Sequence, residues 1–392
     1  RYVAMANGPL SRPKLPGIAG INDFAGHTFH TSRWDYAYTG GNSYGNLSNL
    51  KDKRVGIIGT GATGVQCIPH LGEWAKELCV FQRTPSSIDV RNNRKTDPEW
   101  AANLKPGWQK ERMDNFNIQV SGGDQEVDLI NDGWTDIFRN LTGIAAKLAS
   151  RKLGRRLTGA ERAELMELSD YKKMNFIRAR AEEVVKDPSV AESLKPWYRQ
   201  FCKRPCFHDE YLDTYNRDNV TLVDIKDREP ITAITETGVQ TTENLHEFDI
   251  IVLATGFQAY TGALEAIDIR GAHGHTLREK WEDESKSIMG VYASGYPNFF
   301  MITGPQAPFA NLPTSIEQNV AYITDCINKM ESEGYDLFEP SQQAEDAWSE
   351  HTAEIHSQTL MAQGDRVHSW MMGANIEKRK PRVLVYFGGA HI

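Results

Sequence analysis

Several things are scarce in this 392-residue chain, and each scarcity removes a class of protein. No run approaches the roughly 18 consecutive apolar residues of a membrane-spanning helix. Positive charge is not in excess. The 44 Lys and Arg stand against 52 Asp and Glu, a formal net charge of −8, and phosphate backbones bind through clustered cations, so nucleic acid is not the expected partner. Cysteine is sparse and odd in number: Cys67, Cys79, Cys202, Cys206 and Cys326 lack framework-like spacing, which fits free thiols in a reducing, cytoplasmic compartment. Cys202, Cys206 and His208 have no second ligand pair beside them, so no metal site is expected. There are no repeats and no low-complexity tracts. What remains is ordinary: 40% apolar and 24% charged residues exclude disordered and fibrous classes. The length exceeds the roughly 100–200 residues of a single domain, so two or three packed units are expected.

The clearest local pattern is a βαβ start. KRVGII at 53–58 is a short β-branched run that enters GTGATG at 59–64, and 65–71 continues as a helix apolar on one side. A second strand follows at 78–81. In such a loop Gly59 permits the tight turn, Gly61 lets the backbone approach a pyrophosphate, and Gly64 brings helix close to strand, with Thr60, Ala62 and Thr63 between them. The end of the second strand names the nucleotide. An NAD-preferring loop has Asp or Glu there, but this one reads Phe81, Gln82, Arg83, Thr84, and Glu77 lies at the wrong end. Arg83 can pair with a 2′-phosphate, so NADPH is favoured. From about 91 to 196, Trp, Lys, Glu and Arg recur at helical spacing, with Asp97-Pro98 starting one segment and Thr158 to Glu161 forming a capping box for another. The cations Arg151, Lys152, Arg155 and Arg156 read as a solvated helix face. Strands return at 219–225, 231–235 and 248–254, the last a nearly continuous apolar run suited to a buried parallel strand. That strand leads into Thr255, Gly256 and Phe257, where the glycine allows close approach to a ligand.

Just ahead of the glycine loop stands FAGHTFHTSRWD at 24–35, with Phe24, Gly26, His30, Trp34 and Asp35 at F-x-G-x-x-x-H-x-x-x-W-[PD] spacing. This resembles the fingerprint of Baeyer–Villiger monooxygenases, flavin enzymes that insert one oxygen atom of O2 beside a ketone carbonyl. VFQRTP at 80–85, CKRP at 202–205, NRDNVTLVD at 216–224, LATGF at 253–257, GPQAPFANLPTSIEQ at 304–318 and SWMMGAN at 369–375 resemble family segments in family order. The GPQAPFANLP loop is most similar to the cyclohexanone monooxygenase branch, including its relatives acting on polycyclic ketones.

The resemblance implies an α/β flavoprotein with two Rossmann-like dinucleotide-binding domains and a helical insertion. Residues 1–9 and 250–392 would belong to the FAD-binding domain, 10–88 and 200–249 to the NADP-binding domain, and 89–199 to the insertion. The turns at 5–8 and 255–257 would mark the chain's two crossings between nucleotide domains. FAD, NADPH and O2 would convert a cyclic, bulky ketone to an ester or lactone through a C4a-peroxyflavin. Arg204 would be the arginine above the flavin, because a guanidinium holds its charge and its donors fixed against negative oxygen. Lys203, with Arg83 and Thr84, would hold the 2′-phosphate, and alternation along a strand would send Lys203 and Arg204 to opposite sides. Trp370 would close over the nicotinamide ribose and line the substrate pocket with Phe309, Ala310 and Leu312. His30 and Trp34 would tie the nucleotide domains together rather than act on protons.

The chain departs from the family in having no second GxGxxG for FAD, in Asn7 and Pro9, and in Glu377 to Arg379 before Lys380. An interior fragment of a longer polypeptide is therefore expected. Two rival readings remain: a flavin monooxygenase oxidising nitrogen or sulfur, and a non-catalytic NADP-binding module lacking its flavin half.

Overall fold

The computed structural model describes residues 1–392 apart from 122, 124, 140–143, 227, 310, 377–379 and 390–392. The chain divides into two units. The sheet unit comprises Pro13–Asn93 and Tyr171–Gly256, and the helical unit Arg1–Arg12, Arg94–Asp170 and Phe257–Ile392. One crossing thus falls between Gly256 and Phe257, inside the expected turn, and another between Arg12 and Pro13, a few residues after the turn at 5–8. The division also falls inside the expected helical insertion, within the helix Gly159–Val184. The reason is packing: beyond Tyr171 this helix buries Met174, Ile177 and Ala181, and Ala181 with Val185 joins the core of the parallel sheet.

The sheet unit is built on five parallel strands: β1 (His27–His30), β2 (Arg54–Ile58), β3 (Glu77–Gln82), β4 (Val220–Asp224) and β5 (Ile250–Leu253). Their order across the sheet is β1-β5-β2-β3-β4. Alternation along each strand feeds two cores. Val55 and Ile57 of β2, Leu78 and Val80 of β3, and Ile250 and Val252 of β5 meet Val65, Ile68 and Leu71 of the helix Ala62–Trp74. On the other face Ile58, Cys79, Phe81, Ile251 and Leu253 pack under Ile234, Val239 and Phe248, carried by or beside an antiparallel meander of Ile231–Ile234, Gly238–Thr241 and Leu245–Glu247. Both faces are covered, which is why these strands read as continuous apolar runs rather than alternating ones.

In the helical unit the strands are short and the helices long. Val3–Met5 pairs in parallel with Phe299–Met301, and Ala307–Pro308 with Val385–Tyr386. Successive residues Phe299 and Phe300 serve different cores, one around Leu277 and Trp281, the other around Val291, Tyr292 and Ile323. Major helices span Trp108–Val120, Leu312–Glu333 and Gln342–Ser357. The capping box at Thr158 forms as expected, with its hydroxyl accepting from Glu161 N–H at 3.2 Å and the Glu161 carboxylate accepting from Thr158 N–H at 2.8 Å. No helix among the described residues is long and apolar enough to cross a membrane.

Candidate functional site

The glycine loop joins β2 to the helix Ala62–Trp74, and its three glycines are there for different reasons. Gly59 has φ 109°, and a Cβ on it would meet the Ala254 carbonyl oxygen at 2.5 Å. A Cβ on Gly64 would stand 2.4 Å from the Gly59 carbonyl oxygen. Protein packing thus explains the first and third glycines. It does not explain Gly61, which has an ordinary φ of −71° and no atom within 4 Å of a Cβ position. That open space adjoins the start of a 13-residue helix whose N-cap, Gly61, offers no side chain to the first N–H groups. Such an end favours an anion and lets its phosphate approach the backbone.

Thr60 was expected among the cofactor ligands, but its side chain is 4% exposed and its hydroxyl donates to the Thr84 carbonyl at 3.2 Å. Ser86 donates back to the Thr60 carbonyl at 2.7 Å. These bonds tie the glycine loop to the segment after β3. Ala62 and Thr63 sit half-buried in the first helical turn.

That segment is fixed further by Ile88–Asp89 pairing with Cys206–Phe207, and by Tyr198, whose hydroxyl donates to the Pro85 carbonyl at 2.9 Å. Arg180 clamps both short strands, donating to the Ile88 and His208 carbonyls at 3.0 Å each, and Lys173 Nζ lies 2.6 Å from Asp89 Oδ2. Sequence reasoning missed Arg180, Asp89 and Lys173, because a charged helix face gives no sign that part of it will be buried. The clamp fixes the chain just after Lys203 and Arg204 against the segment that follows Arg83. Burial, and then the charge of Arg83, pull the Lys203 ammonium down to a pKa of about 8. Among the described residues neither Lys203 nor Arg83 makes an ion pair, and an anion beside them would relieve the repulsion.

Lys203 and Arg204 do not lie on a strand, contrary to expectation: a bend precedes Cys206–Phe207. Around that bend Lys203 is half-buried and Arg204 exposed. Arg204 makes no side-chain hydrogen bond or ion pair among the described residues.

The fingerprint is accounted for by contacts within the sheet unit. Gly26 has no room for a Cβ, which would fall 2.4 Å from the Phe24 ring and 2.8 Å from the Asp249 carbonyl oxygen. His30 Nε2 lies 3.1 Å from the Gly256 carbonyl oxygen, while Nδ1 lies 2.9 Å from Ser32 Oγ and accepts from Ser32 N–H. That pattern fits a neutral ring carrying its proton on Nε2. Burial also lowers the His30 pKa. Trp34 packs on Phe29 with ring centres 5.1 Å apart and donates to Thr39 at 3.0 Å. Asp35 caps the helix Tyr36–Thr39 and lies 3.0 Å from His27 Nε2. At the other end of His30's bond, Gly256 has φ 81° and open space where a Cβ would stand, and the Thr255 hydroxyl donates to the Lys14 carbonyl.

In the helical unit Phe257 offers its carbonyl to Asn375 Nδ2 at 2.9 Å. Half-buried Trp370 stacks on Tyr260, with centroids 6.2 Å apart. Phe309 belongs to another aromatic group, 5.2 Å from Phe387 and 6.4 Å from Phe138. Leu312 is 43% exposed at the start of its helix, and Ala310 lies outside the described residues, as does the departure at 377–379. Tyr260, Phe138 and Phe387 went unnoticed in the sequence, since their partners are remote along the chain.

No family model matches the chain. Neopentalenolactone D synthase from Streptomyces avermitilis is 45% identical over 365 residues, covering 92% of this chain and 60% of that relative. A Baeyer–Villiger monooxygenase, ATR8, from Stachybotrys chlorohalonatus is 45% identical over 360 residues, covering 90% of this chain and 56% of that relative. The chain therefore spans about three fifths of the length of these curated relatives. Among solved structures, cyclohexanone monooxygenase from Rhodococcus sp. Phi1 bound to NADP+ superposes with a TM-score of 0.79 at 33% identity, covering 99% of this chain and 70% of that one.

Proposed function

The chain belongs to the Baeyer–Villiger monooxygenase family, and from that premise we propose that it serves the NADPH- and FAD-dependent oxygenation of a cyclic ketone. One oxygen atom of O2 enters beside the carbonyl to give an ester or lactone, and the other leaves as water while NADPH becomes NADP+. The observation that carries the nucleotide half of this reading is Gly61: its missing side chain answers to no protein neighbour, so the space it leaves suits a pyrophosphate. Arg83 and Lys203 would hold the 2′-phosphate, with Thr84 beside them. The fit for FAD is narrower and rests on the open turn at Gly256 and on family membership.

When bound, the reduced flavin and O2 supply the nucleophilic oxygen. Arg204's part is to set a permanent positive charge against the negative charge that gathers on oxygen as the carbonyl is attacked. Phe309 and Leu312 would hold the apolar ring of the ketone, and Trp370 would cover the nicotinamide ribose. His30 keeps its proton on Nε2 and works as a tether for the turn at Gly256, not as a base. A cytoplasmic setting belongs to this reading, supported by five cysteines that form no disulfide with one another.

An absorbance spectrum of the purified full-length protein tests the cofactor: flavin bands support the reading, whereas colourless protein that binds NADPH supports the bare nucleotide module. Feeding cyclohexanone and an organic sulfide in parallel then ranks the oxygenations. Faster sulfide turnover with no lactone would refute the ketone assignment.

A further inference from the structure

The helix Gln342–Ser357 has a buried face without one apolar residue on it: Glu345, Ser349, Thr352 and His356, spaced to lie along one side. The first half of this stripe is satisfied. Glu345 takes Lys280 Nζ at 2.8 Å and the Ser294 N–H at 2.9 Å, and Ser349 Oγ accepts from Gln306 Nε2 at 2.8 Å. The second half is not. Among the described residues Thr352 Oγ1 and both ring nitrogens of His356 have no hydrogen-bond partner, although Thr352 is fully buried and His356 is 6% exposed. Adjacent unsatisfied groups of this kind are rare in folded proteins, because each forfeits its bonds to water.

The unsatisfied end of the stripe leads to the aromatic group around Phe309. The His356 ring lies 6.1 Å from Phe387, whose ring is 5.2 Å from Phe309. Five residues earlier on the same helix, His351 Nε2 lies 3.1 Å from the Tyr386 hydroxyl, which holds the strand leading into Phe387 against the helix. We propose that Thr352 and His356 form a polar subsite behind the Phe309–Phe387 pair, and that it receives a hydroxyl group of the substrate remote from the reacting carbonyl. The substrate class is then a hydroxylated cyclic ketone rather than a plain hydrocarbon one. This rests on the reading of Phe309 as part of a ketone site. A hydroxyl is the matching guest because it both donates and accepts, as do a threonine hydroxyl and a neutral imidazole together. Burial lowers the His356 pKa, so the ring is uncharged near neutrality and calls for no ionised partner.

The test uses the flavin-loaded full-length protein with 1-decalone and a panel of positional isomers of hydroxy-1-decalone. At least one isomer should exceed 1-decalone in kcat/KM by about tenfold or more, and should raise the melting temperature further. In Thr352→Val and in His356→Leu the ratio should collapse toward one. The ligand-free variants should melt no lower than the parent, because each loses an unsatisfied buried group. The proposal is overturned if no isomer is preferred in either readout. It is equally overturned if the variants melt several degrees lower while keeping the preference, which marks the groups as structural and bonded to internal water. Should His356→Leu fail to fold, Thr352→Val decides alone. If the preference appears in melting but no ketone is oxygenated, the subsite stands and the oxygenation reading fails.

Discussion

At the glycine loop of the sheet unit, side chains are absent where backbone and ligand need the space. Along the buried face of Gln342–Ser357 in the helical unit, polar side chains are present where apolar ones would be cheaper. Gly59 and Gly64 could not carry a Cβ without displacing a carbonyl oxygen, whereas Gly61 could. Glu345 and Ser349 have their bonds, whereas Thr352 and His356 do not. In both regions the informative residue is the one that the protein's own contacts leave unexplained. Its neighbours of the same type act as internal controls: they show what a structural glycine or a structural buried hydroxyl looks like in this molecule.

The largest effect expected bears on chemistry rather than architecture. Arg204 is exposed and its side chain makes no hydrogen bond or ion pair among the described residues, so Arg204→Ala should leave the melting temperature nearly unchanged. Ester formation should fall by the roughly 3–4 kcal/mol typical of a lost oxyanion donor, with flavin reduction by NADPH partly retained. Near-normal ester production in a stopped assay would break the assignment.

The glycine comparison sharpens next. Gly59→Ala places a side chain at φ 109° against the Ala254 carbonyl and should cost on the order of 1–3 kcal/mol in denaturant unfolding. Gly61→Ala should cost almost nothing in the same measurement yet raise the KM for NADPH severalfold. Equal losses of stability in the two variants would erase the distinction drawn between them.

Lys203 supplies a pH dependence. Burial and Arg83 depress its pKa to about 8, and a 2′-phosphate favours the charged form. Below that pH the free protein already holds the proton. Above it, binding must also take one up, so the KM for NADPH should climb by up to about tenfold per pH unit. The KM for NADH should stay flat, and Lys203→Met should flatten the NADPH profile. A parallel rise for the two nucleotides would remove Lys203 from the phosphate site. The smallest effect belongs to Asp35→Ala, which removes a helix cap and the partner of His27 and should lower stability by about 1 kcal/mol in thermal unfolding.

How much of this was legible beforehand divides along the same line. The strands at 54–58, 77–82 and 250–253 were readable because a parallel sheet covered on both faces demands uninterrupted apolar runs. The capping box at Thr158 and the cap at Asp97 were readable because they are bonds between near neighbours in the chain. The bond from the Thr60 hydroxyl to the Thr84 carbonyl was not legible, since its partner lies on the segment after the next strand. The bend at Cys202–Lys203 was not legible, because CKRP carries no signal of the Ile88–Asp89 pairing that follows it.

The order of residues by itself determined the βαβ loop, its missing acidic residue and the fingerprint around His30. Steric and hydrogen-bonding demands between near neighbours admit few residue types at those places. Tertiary structure alone decided that Arg180 would clamp two distant strands, that Lys203 would lie near Arg83, and that a polar helix face would be buried up to the Phe387 ring. Burial and charge proximity depend on which remote segments fold over a side chain, and a polar residue looks the same in sequence whether water or protein covers it.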